Sequence, residues 1–219
     1  MASAPRDPTR VRRRPERAAY DADAIVAVLD AGFLCHVGVV RDGRPVVVPT
    51  LYGRDSDRLL LHGSPVAGMF RDLGRTPTVS VTVTHVDGLV LARSAFHHSL
   101  NYRSVVIHGE AVELVEPDEK VRALRLFMDH VTPGRWDAVR EPTAGELKQT
   151  SVWAVPFDRA SAKVRTGPPV DDAEDYALPI WAGVLPLGLT AGMPVPDDRV
   201  PPEVAVPAHV SSWPDVAPG

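Results

Sequence analysis

The chain has 219 residues, 44% of them hydrophobic and 24% charged, with a formal net charge of −4. This is the composition of an ordinary globular protein. No apolar run approaches the roughly 18 residues that span a bilayer, so no membrane helix is expected. The polar, Arg-rich start also lacks the apolar stretch of a secretory leader. Cys35 is the only cysteine, which excludes an internal disulfide and a cysteine-built metal centre, and points to a reducing cytoplasm.

Charge is unevenly spread. Residues 1–17 hold six Arg against Asp7 and Glu16, a local +4, so the remainder carries −8. Prolines at Pro5, Pro8 and Pro15, and no aromatic before Tyr20, leave this stretch without stacking platforms for bases. Residues 1–19 therefore read as a disordered basic leader. The acidic remainder argues against nucleic acid as a partner.

Asp21 opens a helix signal, with Ile25, Val26, Val28 and Leu29 at apolar positions and Gly32 as a stop. Phe33 to Val40 reads as a strand, Asp42-Gly43 as a two-residue hairpin turn, and Pro45 to Leu51 as the return strand. Residues 53–57 turn the chain into a third strand, Arg58 to Gly63. Ser64-Pro65 then suits the start of a helix ending at Gly74, whose free N–H groups would attract phosphate. From Thr76 to His85, Thr78, Ser80, Thr82 and Thr84 alternate with Val79, Val81 and Val83. That is a half-buried strand with a wet or ligand-facing side. Asp87-Gly88 reads as a second hairpin turn, followed by strands over Leu89–Ser94 and Arg103–Leu114. An amphipathic helix begins at Pro117, a short one spans Ala144–Gln149, and the last strands are Ser151–Phe157 and Ser161–Arg165. Six or seven hairpin-linked strands with interspersed helices predict a mainly β fold with flanking helices, an antiparallel closed or nearly closed barrel over residues 20–166.

Residues 167–219 hold 11 of the 22 prolines, together with Trp181, Trp213 and Tyr176. Proline mixed with large apolar residues predicts an extended arm packed on the barrel or on a partner, not disorder.

Residues 92–104 concentrate polar chemistry between two apolar runs: Arg93, Ser94, His97, His98, Ser99, Asn101, Tyr102, Arg103 and Ser104. So many donors suit an anionic, ring-bearing ligand, with a bidentate Arg on its phosphate. Neighbouring His97 and His98 would point to opposite faces of a strand and cannot readily share one metal ion, so no metal is expected. Glu110 and Glu113 likewise face opposite sides and read as solvated strand residues. No Walker loop, G-x-S-x-G or G-x-G-x-x-G pattern is present.

Three stretches carry a family resemblance: Val47-Val48-Pro49-Thr50-Leu51-Tyr52-Gly53, Leu59-Leu60-Leu61-His62-Gly63-Ser64, and Phe96 through Gly109. Over residues 20–165 the chain resembles the pyridoxamine 5′-phosphate oxidase-related, FMN-binding split-barrel family, nearest its Nim-type nitroimidazole-resistance branch. The resemblance implies a homodimer with FMN at the interface. The flavin ring would rest on Val48, Pro49, Thr50, Leu51 and Tyr52. Its phosphate would lie near His62, Gly63 and Ser64, with Ser99, Asn101, Tyr102, Arg103 and Ser104 close by. Arg165 would reach the same pocket. Trp181 falls in a segment similar to one that approaches the flavin in the classical oxidases. Where those oxidases carry cations after the third strand, this chain has Val66-Ala67-Gly68, so Arg103, with Ser104 and Arg93, would have to supply the phosphate's counter-charge. The resemblance implies an FMN-dependent oxidoreductase that takes electrons from NAD(P)H and reduces a small organic acceptor, with His62 as proton donor. The alternatives are deazaflavin or heme as cofactor, and a non-enzymatic flavin or heme carrier or sensor.

Overall fold

The computed structural model describes residues 7–213. In chain order its elements are β1 (Ala18–Ala19), α1 (Ala22–Asp30), β2 (Leu34–Arg41), β3 (Arg44–Leu51), β4 (Gly53–Asp55), β5 (Arg58–Gly63), α2 (Gly68–Arg75) and β6 (Thr78–Leu91). Then follow β7 (Ser99–Glu110), β8 (Val112–Leu114), α3 (Pro117–Val131), α4 (Ala144–Lys148), β9 (Ser151–Pro156), β10 (Ala160–Arg165), β11 (Gly183–Pro186) and α5 (Ala208–Ser211).

Two antiparallel sheets make a split barrel. The larger runs β1-β10-β7-β6-β2-β3, with β11 added to the far end of β6; the smaller runs β4-β5-β9-β8. Strand alternation sends Val37 and Val39 of β2, Val79, Val81 and Val83 of β6, and Val105 and Ile107 of β7 into one core. Leu59 and Leu61 of β5 meet them from the smaller sheet, while Leu29 of α1 and Leu73 of α2 complete the packing. A second, smaller core lies on the other face of β5, where Leu60, Val152 and Ala154 pack against Ala123 and Phe127 of α3.

Local chemistry explains the boundaries. The Asp21 carboxylate accepts from the Ala24 N–H at 2.9 Å and caps α1. Asp42 and Gly43 both have positive φ, 50° and 74°, as a tight hairpin turn requires. At Gly53 the α3 backbone approaches so closely that a Cβ would sit 2.4 Å from the Phe127 Cα. Glycine there lets α3 lie on the small sheet.

Three expectations need correction. The helix after β5 begins at Gly68, with Ala67 as its cap and no side-chain capping bond. Ser64 instead closes a turn, its carbonyl accepting from the Ala67 N–H at 2.9 Å. Asp87-Gly88 is not a hairpin turn. The Asp87 side chain is buried against Arg103, and β6 continues through a register shift between Val86 and Gly88. The reversal comes later, at residues 92–98. The stretch expected to run from Arg103 to Leu114 divides into β7 and β8, which belong to different sheets.

The expected leader is structured where it is described. Residues 15–17 form a 3-10 turn, β1 pairs with β10, and Lys163 donates to the Arg13 carbonyl at 3.0 Å. Residues 1–6 of that leader and 214–219 of the arm lie outside the described residues. The arm adds β11 to β6 and then runs exposed over residues 188–206. It returns at α5, where the Trp213 indole donates to the Val131 carbonyl at 2.9 Å and stands edge-on to Phe33. No helix is long and apolar enough to cross a membrane among the described residues.

Candidate functional site

The polar stretch at 92–104 folds into a tie between strands. Arg93 donates to Asp171 through its backbone N–H and its Nη1, both at 2.9 Å. The Asp171 side chain is fully covered, and the Arg93 guanidinium lies 5.1 Å from the Tyr176 ring centre. Arg103 grips Asp87 with two bonds of 3.0 and 2.8 Å. Arg165 donates to the Asn101 side-chain oxygen and to the carbonyls of Gly167 and Pro168. The Asn101 amide in turn donates to the Gly167 carbonyl at 3.2 Å, and the Ser104 hydroxyl donates to the Lys163 carbonyl at 3.3 Å. Each of these guanidinium groups is engaged inside the chain. Together they fasten the start of the arm to β6 and β7. Two atoms stay buried without a partner there, Arg93 Nε and Ser94 Oγ. His97 reaches Asp172 at 3.2 Å and His98 donates to the Ser94 carbonyl at 2.9 Å, so the two rings diverge. Ser99 is exposed and Tyr102 is half-buried on β7, while Trp181 is exposed on the arm.

The β3 residues divide. Pro49 and Leu51 are exposed and Val48 and Thr50 half-buried on an edge strand that pairs only with β2 among the described residues. The Tyr52 ring is in the core, its hydroxyl donating to the Leu29 carbonyl at 2.6 Å. Burial raises its phenol pKa well above the usual range. That side chain is structural and cannot turn outward to a ligand. Cys35 is also sealed in the core, its thiol pushed up to about 12 by burial, so it offers no thiolate.

Concavities bordered by histidine side chains lie on both sheets. The larger, of about 820 Å³, is a groove on the outer face of the large sheet. Its floor crosses three adjacent strands, with Gly38 beside Ser80 beside His108 and, one step along, His36 beside Thr82. A hollow of about 390 Å³ adjoins it at His36 and is bounded by Leu187 and Leu189 of the arm. The Ser80–Thr82 alternation signals this wet face in the sequence. The part played by His36 and His108 is not legible there, because it depends on which strands lie side by side.

The second concavity, of about 430 Å³, lies on the small sheet and shares no residue with the groove. Leu60 and His62 point out of the same face of β5, away from the barrel core and toward α3. The His62 ring stands edge-on to Phe127, with centres 4.3 Å apart and planes at 79°. Its Nδ1 is buried without a hydrogen-bond partner, an arrangement that costs about 1–3 kcal/mol. Burial lowers its pKa below the ordinary imidazole value, favouring the neutral ring. The cavity walls are apolar: Leu124, Met128 and Val131 of α3, then Trp136 and Val139. At the mouth Arg140 donates to Glu146 through two bonds of 2.8 and 2.6 Å. Arg140, followed by the Thr143 N–H and hydroxyl, holds the Glu146 carboxyl down at about 2. Gly63 and Ser64, beside His62 in sequence, leave the cavity for the α2 turn.

The family model of pyridoxamine 5′-phosphate oxidase matches residues 21–164. The flavocytochrome Anf3 of Azotobacter vinelandii is 42% identical, with 95% of this chain and 97% of that one covered at a TM-score of 0.88. An FAD and heme binding protein of Mycobacterium smegmatis is 33% identical over 92% of this chain and 99% of that one, at a TM-score of 0.87. A candidate 5-nitroimidazole antibiotic resistance protein of Bacteroides thetaiotaomicron is 27% identical over 67% of this chain and 86% of that one, at a TM-score of 0.58. A search of curated protein sequences returns no match. On its two-sheet architecture and its match over residues 21–164, the chain belongs to the pyridoxamine 5′-phosphate oxidase family of split-barrel proteins.

Proposed function

We propose that this chain is a flavin-dependent redox protein with heme as a second redox group, and that its flavin binds along the outer face of the large sheet. The observation that carries the flavin reading is the 820 Å³ groove, large enough for a nucleotide cofactor, beside an edge strand with backbone groups left to pair. The heme reading rests on similarity over nearly the whole chain to a flavocytochrome and to an FAD and heme binding protein.

The residues present favour FAD over FMN. A phosphate monoester is a dianion that calls for a dedicated clamp of cations. At the place the resemblance implies for a phosphate, α2 begins at Gly68 without a side-chain cap, Val66-Ala67-Gly68 offers no cation and Arg103 is gripped by Asp87, while the groove brings a single arginine, Arg159, to its lining. A dinucleotide spreads its charge over two phosphates and adds an adenine that apolar surface can hold. Val48–Leu51 would meet the ring edge through backbone groups. Ser80 and Thr82 would hydrogen-bond across the floor. His36 and His108 are the imidazoles in the groove, the side-chain type most used for proton transfer. When bound, the flavin supplies two-electron transfer from a nicotinamide donor to a small organic acceptor. A second copy of the chain would cover the exposed apolar face at Leu34, Val40, Val47 and Leu51, as a homodimer, and exclude water from the groove.

The test is direct. The purified chain is expected to be yellow, to release FAD on heating, and to bleach with NADPH and recover with a nitroaromatic acceptor. A protein that ignores both FAD and FMN in titration overturns the flavin reading.

A further inference from the structure

We infer that the cavity beside His62 is the seat of an iron porphyrin, with His62 as the single protein ligand to the metal. The inference rests on the heme reading above and gives it a place and a ligand.

The argument begins with the orphaned ring. His62 is held in place by Phe127 and by its strand, yet its buried Nδ1 has no hydrogen-bond partner. A histidine kept only for packing would be expected to bond a backbone carbonyl. Three others in this chain do so: His85 donates to the Val28 carbonyl at 2.9 Å, His98 to that of Ser94 at 2.9 Å and His130 to that of Gly32 at 2.7 Å. His62 instead borders open volume and, because its Nδ1 is closed off from solvent, Nε2 is the nitrogen left to meet a ligand there.

The surroundings decide what that volume takes. Among the described residues no three His, Cys, Asp or Glu side chains come together as a metal site. A bare zinc ion would need three or four such ligands. Glu146, the one carboxylate lining this cavity, is bound to Arg140. Iron inside a porphyrin needs far less, because the macrocycle fills four positions and a single axial histidine suffices. The rest of the ligand is then a wide, flat, apolar ring. Leu124, Met128, Val131, Trp136 and Val139 present apolar walls to such a ring, and 430 Å³ falls within the size range of ligand pockets.

The experiment uses the full chain titrated with hemin and followed by Soret absorbance, flavin content and circular dichroism. The wild type is expected to take one hemin per chain. His62→Ala should weaken binding at least tenfold while flavin content and circular dichroism stay unchanged, and added imidazole should restore the Soret band. Val131→Trp, which fills the cavity and leaves His62 in place, should lose hemin equally. If His62→Ala binds hemin with unchanged affinity and spin state, the assignment of site and ligand is wrong while the heme reading stands. If the wild type carries flavin but takes no hemin, the heme reading itself fails. Loss in His62→Ala without imidazole rescue, together with normal binding by Val131→Trp, also overturns the assignment.

Discussion

The tie at residues 92–104 and the cavity at His62 are opposites. The first is dense in charge and largely spent on itself: Arg93 on Asp171, Arg103 on Asp87, Arg165 on Asn101 and two carbonyls. The second is almost without charge, yet its histidine holds one ring nitrogen buried and unanswered in the wall. The difference teaches that polar density is a poor guide to a site.

That contrast can be broken by mutation. The largest effect is expected from Asp87→Ala, which leaves the mostly covered Arg103 without its bidentate acceptor. Removing one partner of such a pair costs about 3–5 kcal/mol, measured as a lower urea midpoint. Arg103→Ala should likewise destabilise the fold while the folded fraction still binds flavin. Flavin binding lost at unchanged stability would make the tie a cofactor site after all. His62→Leu should do the reverse and stabilise the apo protein by about 1–3 kcal/mol, because an orphaned polar group is replaced by an apolar one. A lower urea midpoint would show that His62 is structural. His97→Ala, at the exposed Asp172 contact, should change stability by no more than about 1 kcal/mol.

The smallest effect belongs to the cavity mouth. Glu146 titrates at about 2 in the folded chain, below the ordinary carboxylate value of about 4.3. A depressed carboxylate contributes stability that is complete above the ordinary range and fades as pH falls through the folded value. The Arg140 pair should therefore persist on acidification to well below pH 4. A carboxyl carbon titration by NMR giving an unshifted Glu146 would refute it.

Much of the barrel was legible because it is written in local signals: the capping Asp21, the Asp42-Gly43 turn and the valine alternation of β6. Where the reading failed, a distant partner had overruled a local preference. Asp87-Gly88 looks like a turn, but Arg103, sixteen residues on, draws Asp87 into the sheet. Ser64-Pro65 looks like a helix start, but the chain spends those residues on a turn before Met69, Phe70 and Leu73 face the core. The site was harder still. His62 stands out in the sequence as a histidine at the end of an apolar strand. What makes it unusual is the α3 wall and the residues around Trp136, more than sixty positions away. Arg103 attracted attention for its charge, and the sequence held no sign that Asp87 would claim it.

The placement of the tryptophans gives the molecule an optical gauge of its own. Trp136 lines the His62 cavity, and Trp213 is fastened to the last carbonyl of the helix that walls it. Trp181 is exposed on the arm and does not line that cavity. A light-absorbing ring entering the cavity should quench Trp136 and Trp213 more than Trp181. Single-tryptophan versions of the chain would then report, by emission alone, which part of the protein a coloured ligand has entered.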